Sequence, residues 1–185
     1  MKKIYLFFCL LVAMTAALGH EATDNRATLV LRDNRHLAVT LYINYAEAMH
    51  QTLMPSRPFE EFLLTHSAMD GGKFQRAALQ AQTQFQNALK IYNNDRSELN
   101  VVRWQWPAPI LLQQSLRERA MLLLRGAAAH VHAAPLEIHA ELSAEQDLEA
   151  VLIQFPAEFQ KVLVVSYRPS QVTVERKAIS PLITF

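Results

Sequence analysis

The stretch Arg26–Asn44, RATLVLRDNRHLAVTLYIN, does most to constrain what this chain can fold into. Leu29, Leu31, Leu37, Val39, Leu41 and Ile43 fall on one parity; Thr28, Arg32, His36, Thr40 and Tyr42 fall on the other. A strand sends successive side chains to opposite faces, so this alternation predicts two strands of a sheet with one dry and one wet face. Leu31 faces Leu37 only if an odd number of residues, such as Asp33–Arg35, forms the loop, or if a bulge absorbs the difference. The hairpin is expected to seed a sheet that C-terminal strands complete.

Residues 1–19, MKKIYLFFCLLVAMTAALG, have the pattern of a secretory signal peptide. Lys2 and Lys3 supply a positive start, Ile4–Met14 is an uncharged apolar run, and Ala17 and Gly19 place small residues at −3 and −1 of a cleavage site. The apolar run is short for a membrane span. Cleavage after Gly19 leaves His20 first; cleavage after Ala17 competes with it. The expected location is periplasmic or secreted, with no transmembrane span after cleavage.

Removal of Lys2 and Lys3 leaves 16 basic residues against 17 acidic ones, a net charge of −1. That argues against nucleic-acid binding, which needs a basic face to neutralise phosphates. Cys9 is the only cysteine and leaves with the signal segment, so the rest of the chain has neither disulfide nor thiol chemistry. Residues 20–185 are long enough to bury a core as one domain.

A helical insert is expected over about 45–92. Asn44 suits a helix N-cap, with Glu47 at N3. Pro58 suits the first turn of a second helix whose apolar side is Phe59, Phe62, Leu63 and His66. Asp70-Gly71-Gly72 is a break. Phe74, Ala78, Ala81, Phe85, Ala88 and Tyr92 then recur at helical spacing, opposite a nearly uncharged, glutamine-rich surface. Leu99–Trp106 reads as a strand with Val102, Trp104 and Trp106 on one face. Ile110–Gly126 reads as a helix with Leu112, Leu116, Ala120, Leu123 and Leu124 inward and Arg117, Glu118 and Arg119 outward; Gly126 suits its stop.

Beyond Pro135 the pattern is β again. Leu136, Ile138, Ala140 and Leu142 alternate with Glu137, His139 and Glu141, and Leu148–Phe155, Val162–Tyr167 and Val172–Glu175 are further strands. Val162–Val165 is apolar at both parities, which predicts a central strand covered on both sides. The whole is α+β: a mainly antiparallel sheet or sandwich, from the N-terminal hairpin and a C-terminal meander, with the helical insert in the middle.

No nucleophile elbow, glycine-rich phosphate loop or metalloprotease helix is present, and four glycines leave little room for a phosphate cradle. Seven histidines are the suggestive residues. His130-x-His132 places two imidazoles on one side of an extended segment, and an N-terminal His20 offers an amine and an imidazole suited to copper; zinc is the other candidate. The opposing expectation is that these histidines are solvated. Trp104 and Trp106 are candidate ligand or partner contacts, set against a role as core anchors. The apolar tail 178–185 ends in Phe185, a third candidate contact. That terminal phenylalanine resembles the closing strand of outer-membrane β-barrels, but long helices, Pro181 and too few strands exclude a barrel. The expectation is a non-enzymatic binding or accessory protein whose partner is another envelope protein.

Overall fold

The computed structural model describes residues 25–126 and 135–169. β1 (Asn25–Leu31) and β2 (His36–Ile43) form the expected hairpin, with Leu31 opposite Leu37. The Arg32 N–H donates to the His36 carbonyl at 2.9 Å, so Asp33, Asn34 and Arg35 form the odd-numbered loop. Asp33 makes that turn. Its Oδ1 accepts from the backbone N–H groups of Arg35 (2.7 Å) and His36 (2.8 Å), and Oδ2 meets His36 Nδ1 at 2.7 Å. These bonds hold the Asp33 carboxyl below the usual aspartate range, the Arg35 N–H contributing most.

Three helices follow: α1 (Tyr45–Leu53), α2 (Phe59–Ser67) and α3 (Gly71–Ala88). α2 buries Phe59, Phe62, Leu63 and His66 as the spacing predicts. In α3 the stripe Phe74, Ala78, Ala81 and Phe85 is buried, and Asp70 caps the helix by accepting from the N–H groups of Gly72 and Lys73. The helical stripe does not continue to Tyr92. Leu89 and Ile91 are buried on alternate positions, and β3 (Lys90–Asn93) takes over. Asn44 occupies the N-cap position of α1 but makes no capping bond; its oxygen is drawn to a distant arginine.

β4 (Val101–Gln105), α4 (Pro109–Leu124), β5 (Leu136–Ser143), β6 (Val151–Gln154), a 3₁₀ turn (Ala157–Phe159) and β7 (Val162–Tyr167) complete the order. The main sheet runs β4-β5-β2-β1-β7, antiparallel except for β1 with β7. β3 and β6 form a separate antiparallel pair, with Ile91 opposite Ile153. The architecture is thus α+β with a mostly antiparallel sheet and a middle helical insert, as the sequence predicts.

Ala27, Leu29, Val39, Leu41, Ile43, Ile138, Ala140 and Leu142 project from one face of the sheet into a single core with Met49, Phe62, Leu63, Phe74, Phe85 and Leu116. Each fully buried aliphatic or aromatic side chain there contributes on the order of 1.5–3 kcal/mol. Among the described residues, no helix or second sheet packs on the other sheet face. That face carries a surface charge cluster in which Glu141 meets Arg103 at 2.8 Å and Arg32 at 3.8 Å.

Two strands differ from expectation. A bulge between Val101 and Arg103 inserts one residue, so Val101 lies opposite Leu142 and Trp104 opposite Ala140. The extra residue flips parity: Trp104 faces the core, and Val102 is left exposed instead of sharing its face. β7, apolar at both parities, is the outermost strand of the sheet among the described residues, with β1 on its inner side. The expected strand Val172–Glu175 and the tail 178–185 lie outside the described residues, as does the whole of 1–19.

Candidate functional site

Helix α4 inverts the ordinary arrangement of a surface helix at several positions, although Leu112, Leu116 and Ala120 are inward as expected. Gln113 and Arg119 are buried with Leu112, Leu116 and Ala120, while Ile110, Leu111, Met121 and Leu124 are between 52% and 68% exposed. An amphipathic helix normally turns polar residues outward. The cause lies in the helices that α4 covers.

The last turn of a helix leaves carbonyls without intrahelical donors. At the end of α2, α4 supplies those donors. Gln113 Nε2 donates to the carbonyl of Met69 at 2.7 Å and to that of His66 at 3.3 Å, and Arg117 Nε donates to the carbonyl of Ser67 at 2.9 Å. One turn further on, Arg119 reaches the start of α1. Its Nη1 donates to Asn44 Oδ1 at 3.0 Å, Nη2 lies 3.5 Å from Glu47 Oε1, and the guanidinium sits 4.9 Å from the Phe59 ring centroid. Arg119 is therefore an inward residue and Leu124 an outward one, the reverse of the helical-stripe reading. Asn44 and Glu47 form a clamp for Arg119 instead of a capping box.

The same layer holds two histidines. His50 Nε2 donates to the carbonyl of Arg57 at 2.8 Å, and His66 Nδ1 donates to the carbonyl of Phe62 at 3.0 Å, its ring 4.2 Å from that of Phe62. Burial lowers the His66 pKa below the ordinary histidine value; the bond to the Phe62 carbonyl opposes it, and the nearby His50 adds a smaller lowering. Both imidazoles act as structural donors to backbone.

The outer face of α4 begins at a cleft of about 240 Å³ where the first turns of α3 and α4 meet, lined by Gly71, Phe74, Gln75, Pro109, Ile110 and Gln113. That volume is below what encloses a typical small-molecule ligand. The cleft and the exposed leucine, isoleucine and methionine side chains offer shape and apolar area for a macromolecular surface; they offer no reactive group. The glutamine-rich side of α3, with Gln75, Gln80 and Gln84, is likewise exposed.

The residues singled out by the sequence are spread apart. His20, His130, His132 and Phe185 lie outside the described residues. His139 is on the open face of β5, 3.2 Å from Thr40 Oγ1 and 3.4 Å from Glu137 Oε1. Among the described residues no three His, Cys, Asp or Glu side chains come close enough to hold a metal ion. Trp104 and Trp106 are half-buried against the core, their rings 5.6 Å apart. Trp106 meets Tyr45 edge-on at 6.3 Å, and Tyr45 meets Phe85 at 5.7 Å. Burial raises the Tyr45 pKa well above the usual tyrosine value, and neither its hydroxyl nor Trp106 Nε1 has a hydrogen-bond partner among the described residues. The inward arginine and glutamine of α4 left no sequence signal, because their acceptors are carbonyls and a carboxylate about 45–75 residues away.

The chain matches no known family model, no curated protein and no solved structure. No helix among the described residues is long and apolar enough to cross a membrane.

Proposed function

We propose that this chain is an exported, non-enzymatic binding or accessory protein that docks on another envelope protein through the outer face of α4. The observation that carries this reading is the inversion of α4, which buries Gln113 and Arg119 while exposing Ile110, Leu111, Met121 and Leu124. Large apolar side chains exposed at both ends of the outer face of α4 support an interaction surface there. Export is supported by the signal-peptide pattern of residues 1–19. The partner's matching surface is apolar where it meets Ile110, Leu111, Met121 and Leu124, with polar contacts available to Gln114, Arg117 and Glu118 between them.

The test uses photo-crosslinking side chains at Leu111 and Met121 in the natural cell, with Gln84 on α3 as the control position. The expected result is one discrete adduct with an envelope protein from both α4 positions, lost when Ile110→Asp is added. No adduct from either position, or the same adduct from Gln84, refutes the docking face. The mass of the intact exported protein tests the rest: a chain that still begins at Met1 refutes signal cleavage.

A further inference from the structure

Of the apolar side chains on the outer face of α4, that of Met121 carries a reactive atom. The described residues hold four methionines: Met49, Met54, Met69 and Met121. Met49 is fully buried, and Met54 and Met69 pack, partly buried, against the core. Met121 is 52% exposed, so its thioether is the one most open to an oxidant in water. Its neighbour at i+3 on the helix surface is Leu124, the most exposed apolar side chain of α4. No thiol beyond Cys9 competes for the oxidant, since Cys9 is the only cysteine. Methionine is also the residue that adaptable binding surfaces favour, because its unbranched side chain moulds to a partner.

We propose that Met121 is an oxidation-sensitive modification site whose conversion to the sulfoxide releases the docking face of α4; the inference rests on the docking reading above. The co-reactant is a peroxide. The Met121 sulfur attacks one peroxide oxygen, an S–O bond forms as the O–O bond breaks, and sulfur gives up two electrons. The other oxygen leaves as hydroxide and takes the proton of the transferred oxygen, becoming water. The product is a polar, chiral side chain in place of a flexible apolar one. Its new acceptor faces an apolar partner surface, where a polar group without a donor is costly to bury. Met121 is not part of the core, so the change acts on the face and leaves the fold intact. Ile110, Leu111 and Leu124 have no atom that a peroxide attacks, which confines the switch to Met121.

The test treats the purified full chain, with a photo-crosslinking side chain at Leu111, with hydrogen peroxide. The peroxide is removed, and the chain is crosslinked to untreated envelope membranes from the natural cell. Peptide mapping is expected to show Met121 gaining oxygen before Met49, Met54 and Met69. The adduct yield is expected to fall about tenfold on oxidation, as an unpaired polar group at a buried contact requires. It should return once the two methionine sulfoxide reductases, one for each epimer, act on the treated chain. The same fall is expected in a chain carrying Met54→Leu and Met69→Leu. In Met121→Leu the ratio of treated to untreated yield is expected to stay near one, whatever its untreated yield. Oxidation of Met121 no faster than that of Met54 or Met69 overturns the proposal. So does an adduct that survives oxidation, a loss that persists in Met121→Leu, or a Tm that falls together with the adduct. These outcomes leave the docking reading standing, whereas no adduct from the untreated chain removes that reading and the proposal with it.

Discussion

Replacing Gln113 with leucine isolates what the inverted helix α4 contributes. Gln113 is 1% exposed, and its amide is the donor for two carbonyls at the end of α2, those of His66 and Met69. Leucine keeps the bulk and the helix propensity but donates nothing. Each of the two carbonyls then loses a bond with a net value of about 1 kcal/mol, so Gln113→Leu is expected to destabilise the fold by about 2 kcal/mol. The value is a lower bound, since a buried carbonyl left without a donor costs about 1–3 kcal/mol. For a domain of this length each kcal/mol lowers Tm by about 2–4 °C, giving a loss of about 4–8 °C. Chemical denaturation gives the free energy and calorimetry the Tm. Gln114→Leu, one position along and exposed, is the control and is expected to stay within about 0.5 kcal/mol of the parent. Were Gln113→Leu as stable as the parent, the carbonyls would have no need of the amide, and the account of why α4 faces the way it does would be wrong.

Arg119→Met removes a 4%-exposed guanidinium that bridges Asn44 and Glu47; a loss of about 3–5 kcal/mol is expected by urea denaturation, and less than 1 kcal/mol would show that the bridge contributes little. Stability should also depend on His66. Its pKa is lower in the folded state than in the unfolded chain, so the unfolded state binds more protons as pH drops through about 6.5; stability is full above that value and declines below it, by at most about 1.4 kcal/mol per pH unit. The depressed carboxyls of Asp33, Glu141 and Asp147 lose their contribution only at more acidic pH, so a decline between pH 6.5 and 5 that persists unchanged in His66→Leu excludes His66 as its source. Gly126 ends α4 at φ +81°, where an L side chain is strained although nothing lies near its Cβ position. Gly126→Ala is expected to cost about 1 kcal/mol, and a gain in Tm would show that the helix end relaxes.

Much of the fold is legible because it is written in local alternation. The hairpin loop at Asp33–Arg35, the dry face of β2 and β5, the buried stripe Phe74–Phe85 and the stop at Gly126 each follow from a period of 2 or 3.6 or from one residue's backbone preference. The misreadings occur where period is a poor guide. Tyr92 keeps the helical phase of α3 by coincidence, while Leu89 and Ile91 mark the switch to β3. The bulge at Val102 breaks the parity on which the face of Trp104 depends, since a single inserted residue is invisible to an alternating pattern.

The outer face of α4 was the least legible part, and its cause separates what sequence and tertiary structure each decide. By itself the sequence determined where most strands and helices form, β3 excepted, and which sides of β2, β5 and α3 are apolar, because those properties depend on neighbours within a turn or two. Only the tertiary structure decided that Arg119 points inward and Leu124 outward, that β6 joins β3, and that β7 lies beside β1. Burying a guanidinium or a glutamine amide is favourable only where acceptors await it, and here the acceptors are Asn44, Glu47 and the carbonyls closing α2, brought to α4 by the packing of the whole helical layer.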